Sequence, residues 1–330
     1  MNSPEDERAT AAREWAVENT GWHDATFAPA SADASFRRYF RIALNGTSRI
    51  VMDAPPEHEP LDAFIDIAAR LGNAGLNVPA ILDQDRERGF LLLGDLGDRP
   101  WHRVLDAGNA DAMFTDAIAA LIRMQSHTDT SGLPEYDAAL LLRELELFPE
   151  WFLGRHWGVR PTADELDQWD LVCMSLVRWA LDQPQRFCHR DFMPRNLMLC
   201  TPNPGILDFQ DAVRGPISYD PVCLFRDAFL SWSTEQVDGW LEHYRQRARA
   251  AGLPVPADAD LWRRTCDLMG AQRHLKVLGI FARIRYRDGK PQYLEDASRF
   301  FDYFEHAIAR NPELGPLTSL FRSWEARARH

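Results

Sequence analysis

FCHRDFMPRNLMLCTPNPGILDFQDA, residues 187–212, decides how this 330-residue chain is read. It crowds His189, Asp191, Asn196 and Asp208 among short apolar runs. RFCH reads as a strand leading into Asp191. LMLC and GILDF flank TPNPG, where Pro202, Pro204 and Gly205 mark a turn, so the two runs form a hairpin. A hairpin folds Asp208 back toward the loop that holds Asp191 and Asn196. An Asp, Asn and Asp set offers only oxygen, which suits a hard cation such as Mg²⁺. Magnesium keeps water and phosphate oxygens as its other ligands, and that fits phosphoryl transfer. One carboxylate then remains to accept a proton from an attacking hydroxyl. The bland alternative is a polar loop that matches HxDxxxxN by chance; the rest of the chain weighs against it.

Working outward toward the N-terminus, residues 5–18 read as a helix. FRRYFRIAL alternates into Asn45-Gly46, the strongest short hairpin signal, and SRIVMDA returns until Pro55-Pro56 stops it. EPLDAFIDIAARLGNAG places Leu61, Phe64, Ile65, Ala68 and Leu71 on one helical face and ends at Gly72 or Gly75. NVPAILDQDRERGFLLLGDLG reads as strand, polar turn, strand. This order builds one antiparallel sheet carrying a helix. After about Trp101 helical patterns dominate, interrupted by two short strands in the opening stretch and resuming from Leu224. The expected fold class is α+β with two lobes: residues 1–97 as a small sheet lobe and 98–330 as a larger, mostly helical one, connected near Gly94 to Asp98.

Composition narrows the class. The chain is 45% hydrophobic with a net charge of −12, enough for a sizeable core and mildly against a nucleic-acid partner. No signal-peptide core opens the chain, and no apolar run is long enough to cross a membrane. The five cysteines are scattered without a CxxC pair, which reads as reduced thiols, a cytoplasmic setting and no zinc site. Basic charge is nearly all arginine; the only lysines are Lys276 and Lys290.

HRDFMPRNLML followed by ILDFQDA resembles the aminoglycoside-phosphotransferase-like family of small-molecule kinases, with DFQ where protein kinases have DFG. The resemblance implies a two-lobed, protein-kinase-like fold and the cofactors ATP and Mg²⁺. It implies Asp191 as catalytic base, Asn196 and Asp208 as metal ligands, and His189 as a structural residue. ATP would lie between the lobes, with adenine on the backbone of Leu93, Gly94, Asp95 and Leu96. The turn SADASFRRYF would cover the phosphates, with Ser31, Ser35, Arg37 and Arg38 as contacts; exposed strand charge is the plain alternative for the arginines. The sequence departs from the family where a strand lysine is expected. Met52 and Asp53 stand there, Arg38, Arg41 or Arg49 are the substitutes, and Asp66 or Glu59 the acid that would pair with it.

Longer stretches, among them IVMDAPPEHEPLDAFIDIA, FLLLGDLGDRPW and AQRHLKVLGIFARIRYRDGKPQYL, are similar to the amino-sugar kinases of that family. These phosphorylate N-acetylmuramate and N-acetylglucosamine at C1 in peptidoglycan recycling. The implied partners are ATP and a small amino sugar, with no nucleic acid, membrane or obligate protein partner. Candidate sugar contacts are Asp191, Trp101, Tyr219, Asp220 and Arg226, with Asp227 and Trp232 nearby; ordinary packing is the competing explanation for each. Asp220, close behind the metal segment, is the first choice for a sugar hydroxyl. For the lactyl carboxylate of N-acetylmuramate, Arg273, Lys276, Arg283, Arg285 and Arg287 compete with a solvated helix face, and His274 reads as structural. Two alternatives stay open: a kinase of the same fold for an aminoglycoside, choline-like or homoserine-like alcohol, and a nucleotide-binding regulator without turnover.

Overall fold

Asn45 and Gly46 both take the left-handed conformation, at φ 50° and 77°, and close a two-residue hairpin as the sequence requires. The structure, a computed structural model, describes residues 4–31, 36–295 and 297–328. Its helices and strands are α1 (Pro4–Thr20), β1 (Thr26–Ser31), β2 (Arg38–Leu44), β3 (Thr47–Asp53), α2 (Leu61–Asn73), β4 (Ile81–Asp85), β5 (Phe90–Gly94), α3 (Ala110–His127), α4 (Ala138–Leu147), α5 (Ala163–Leu181) and β6 (Gln185–Cys188). There follow β7 (Leu197–Met198), β8 (Gly205–Ile206), β9 (Val213–Pro216), α6 (Tyr219–Phe225), α7 (Thr234–Ala250), α8 (Ala259–Asp288), α9 (Ser298–Arg310) and α10 (Gly315–Glu325). Two compact units emerge: residues 1–104 with 195–211, and residues 105–194 with 212–330.

The first unit is built on a five-stranded antiparallel sheet in the order β1-β2-β3-β5-β4. Strand alternation sends Phe40, Ile42, Val51, Phe90 and Leu92 to one face, where they bury Ala12, Trp15 and Ala16 of α1. α2 buries Leu61, Phe64, Ile67, Ala68 and Leu71 on one stripe. Gly75, at φ 75°, stops the chain just past it, as a helix-terminating glycine does. The hairpin of β7 and β8 belongs to this unit: Phe209 packs on Phe64 with ring centroids 4.8 Å apart, and the Ile206 N–H donates to Asn77 O.

The second unit is helical, with β6 and β9 paired antiparallel. Two expectations need correction. The strand read at RFCH and the hairpin are joined by a fourth short strand that was not expected, because β6 finds its partner in β9, 25 residues beyond the end of β6 and outside the local hairpin. Helix also resumes at Tyr219 rather than Leu224, since Pro221 sits in the first turn of α6, where its missing N–H costs nothing.

α8 runs for 30 residues and is buried over most of its middle. Gly279 lies against Leu147, the last residue of α4. A Cβ there would lie 2.4 Å from the Leu147 carbonyl carbon. Gly279→Ala should therefore destabilise the protein by about 1–3 kcal/mol or more, read as a fall in the thermal midpoint. An unchanged midpoint would mean that α4 and α8 have room to separate.

Candidate active site

Asp191 sits in a loop whose backbone is held from below. The Asp220 side chain is fully buried, and its Oδ2 accepts from the His189 N–H at 2.8 Å and its Oδ1 from the Arg190 N–H at 3.0 Å. Burial pushes the Asp220 pKa up, while His189 and these backbone donors pull it back. Arg190 adopts φ 74°, a conformation that non-glycine residues take at a cost and keep where the surroundings enforce it. The His189 ring is buried against Phe192, and its Nδ1 accepts from the Asp191 N–H at 3.3 Å. The result is a half-buried Asp191 whose backbone is fixed on both sides. The sequence expectation that Asp220 touches a sugar hydroxyl gives way here. Both of its oxygens serve the loop backbone, so it positions Asp191 from beneath.

Beneath the loop lies a charge cluster. Glu144 of α4 accepts from Arg190 and Tyr136, pairs with Lys276 Nζ at 2.9 Å, and meets Gln272 Nε2 at 3.3 Å. Burial raises the Glu144 pKa, but Lys276 and Arg190 more than offset it, and the carboxyl stays below its ordinary range. The Tyr219 hydroxyl accepts from Lys276 Nζ at 3.1 Å. Sequence reasoning missed Glu144, although a signal was present: it shares the buried face of α4 with Leu141 and Leu145, an unusual place for a lone acid.

Asn196 and Asp208 come together on the hairpin of the first unit. The Asn196 Nδ2 donates to Asp208 Oδ2 at 3.2 Å, and Gln210 Nε2 donates to Asp208 Oδ1 at 2.9 Å. Asp208 is also left-handed, at φ 60°. Gln210 Oε1 is buried without a hydrogen-bond partner and adds a third oxygen donor to those of Asp208 and Asn196. Such a donor set fits Mg²⁺, which needs only one or two carboxylates and fills its shell with water and phosphate. No group of three or more His, Cys, Asp and Glu gathers among the described residues.

The residues expected on the nucleotide side divide. Ser31 ends β1, and Ser35 lies outside the described residues. Arg38 pairs with Asp53, directly opposite it across β2 and β3, and Arg8 of α1 holds the other Asp53 oxygen. Asp53 therefore points to the α1 face with Val51, and Met52, fully buried, turns to the opposite face. Arg41 is locked in a two-pronged pair with Asp95, and Arg49 lies over Trp22. Arg37 pairs with Glu59 at 2.6 Å, while Asp66 pairs with Arg70. Leu93 and Gly94 require correction as adenine contacts. β5 is an inner strand paired on both sides, and the Gly94 N–H donates to Ala80 O. Asp95 and Leu96, past the end of the strand, remain; the Asp95 carboxylate is taken by Arg41, Ser48 and the Gly97 N–H.

Other sugar candidates also turn inward. Trp101 is fully buried and its Nε1 donates to Asn203 Oδ1 at 3.3 Å. Arg226 is buried in an ion pair with Asp267 at 2.6 Å, and Tyr219 is buried against Tyr136. Asp227 Oδ1 accepts from the Phe229 and Leu230 N–H groups, and Trp232 packs on Phe114 and Trp240. Arg273, His274 and Lys276 are buried rather than on a solvated face, because α8 is surrounded by other helices; Arg287 is exposed.

Comparison with known proteins identifies relatives of this chain. A model of the phosphotransferase enzyme family matches residues 26–261. The chain is 53% identical over 306 residues to an N-acetylmuramate/N-acetylglucosamine kinase of Pseudomonas aeruginosa, covering 92% of this chain and 90% of that one. A protein of the same name from Neisseria meningitidis is 43% identical, covering 90% and 89%. Among solved structures, an ADP-bound aminoglycoside phosphotransferase superposes with a TM-score of 0.61 at 15% identity, over 92% of this chain and 98% of that one. A choline kinase of Streptococcus pneumoniae gives 0.58 at 13% identity, over 91% and 98%. These two show a shared fold and no more. The family match, the length of the alignments and the held Asp191 loop lead to one conclusion: this chain belongs to the phosphotransferase enzyme family.

Proposed function

We propose that the chain is an ATP- and Mg²⁺-dependent kinase that phosphorylates the anomeric (C1) hydroxyl of N-acetylmuramate and N-acetylglucosamine, a cytoplasmic step of peptidoglycan recycling. The observation that carries the acceptor is the 53% identity, over 92% of the chain, to a kinase named for these two sugars. The loop geometry supports the reaction type. Asp191, fixed by Asp220 and His189, aligns the hydroxyl and accepts its proton. An anomeric hydroxyl suits a carboxylate base because the ring oxygen withdraws electrons and makes it more acidic than an ordinary alcohol. Asn196 and Asp208 would hold Mg²⁺, which when bound neutralises charge on the transferred phosphate. The sheet lobe, residues 1–97, serves the nucleotide through the chain at Asp95 and Leu96 and through Arg37, and residues 98–330 serve the acceptor.

The test is the product itself. Incubation with ATP, Mg²⁺ and either sugar should give an anomeric proton newly coupled to phosphorus in the NMR spectrum. Absence of ADP with both sugars would overturn the acceptor, and a phosphate on another hydroxyl would overturn the C1 assignment.

A further inference from the structure

Arg273, on α8, is only 2% exposed, yet its Nη1 has no hydrogen-bond partner. Its Nη2 faces the sulfur of Met193 at 4.0 Å, a weak acceptor at long range. Among the described residues it makes no ion pair, unlike Arg226 in the same unit, which Asp267 neutralises. A buried guanidinium without a direct ion pair is costly to keep. It remains charged: burial lowers its pKa, but the surroundings, the Asp191 and Asp227 carboxylates among them, raise it above the ordinary value. Lys276, one turn further along α8, gives its charge to Glu144, so Glu144 does not compensate Arg273.

The position of this charge is informative. Met193, which meets the guanidinium, lies two residues after Asp191 in the same loop. An acceptor whose hydroxyl lies on Asp191 therefore brings its other substituents toward Arg273. The thioether of Met193 is flexible and apolar, and a ligand group displaces it at little cost. The planar fork of an arginine matches a carboxylate in two parallel hydrogen bonds.

We propose that Arg273 is the specificity residue for an acidic acceptor, binding the lactyl carboxylate of N-acetylmuramate after Met193 swings aside. This rests on the amino-sugar reading above. The methyl of the lactyl group then meets the Met193 side chain while the carboxylate takes Nη1 and Nη2. N-acetylglucosamine, which has a free hydroxyl where N-acetylmuramate carries the lactyl ether, makes no such bond.

Arg273→Met should lower the ratio of kcat/KM for N-acetylmuramate over that for N-acetylglucosamine by about 10²-fold, mainly through KM. Arg273→Lys, which keeps the charge and loses the fork, should fall between the two. A third arm needs no variant: the wild type should prefer N-acetylmuramate over its lactyl carboxamide by a similar factor. Thermal midpoints of both variants report whether the fold survives. Equal losses on both sugars would mean that Arg273 serves the phosphate or Asp191 instead, and would overturn the proposal. So would an unchanged ratio, or a wild type indifferent to the carboxamide. If the wild type phosphorylates neither sugar, the amino-sugar reading fails first and takes this inference with it.

Discussion

Asp191→Asn should leave the protein folded and lower kcat for sugar phosphorylation by about 10²–10⁴-fold. The substitution keeps the size of the side chain and removes its capacity to take a proton. Asp220 and the His189 ring hold the loop backbone through its own N–H groups, which the substitution leaves in place. The thermal midpoint and the KM for ATP should therefore change little while kcat collapses. A variant that retains more than a tenth of the wild-type kcat would remove Asp191 from the role of base. A variant that loses both activity and midpoint would instead make it a structural residue.

The second large effect is expected at Glu144. This carboxylate is buried between Arg190 and Lys276 and also accepts from Tyr136. Glu144→Gln leaves two largely buried cations without their anion. Breaking one side of a buried ion pair costs about 3–5 kcal/mol, which for a chain of this size lowers the thermal midpoint by something on the order of 10 °C. Dependence on pH gives an independent check. The folded-state pKa of Glu144 lies below its ordinary value. Its contribution is therefore complete above the ordinary carboxylate pKa and is lost as the pH falls through the folded value. Between pH 7 and acid, the wild-type curve should descend toward that of Glu144→Gln. Parallel curves would show that the charge on Glu144 adds nothing.

Local chemistry made much of the architecture readable. Asn45-Gly46 demanded one hairpin and TPNPG another. The stripe from Leu61 to Leu71 demanded α2, and its stop at Gly75 follows from the positive φ that glycine tolerates. Asn196 and Asp208 were readable as neighbours for the same reason, since a hairpin brings its two ends together. What escaped was set by partners distant in sequence. Nothing near Asp220 distinguishes a carboxylate that binds a sugar from one that binds the N–H groups of residues 189 and 190. Glu144 meets Arg190 across 46 residues and Lys276 across 132, so their mutual neutralisation has no local signature. The arginines of β2 resemble phosphate ligands until Asp53 and Asp95 are found opposite them. Arg273 reverses this pattern: it reads as one more surface charge on a helix, and only its burial with an unpartnered Nη1 sets it apart.

The hairpin of β7 and β8 has a consequence for recombination. The first unit is made of two separate segments, 1–104 and 195–211. A gene fragment ending at Val104 would lack the Phe209 that covers Phe64, and would leave the Asn77 carbonyl and Trp101 Nε1 without their partners on the hairpin. A chimera made by one crossover near residue 104 joins the sheet of one parent to the hairpin of the other. Exchange of the whole unit between relatives needs three junctions, at 104/105, 194/195 and 211/212. Shuffled libraries of this family should accordingly yield folded single-crossover members only where both parents carry compatible residues at positions 64, 101, 203 and 209.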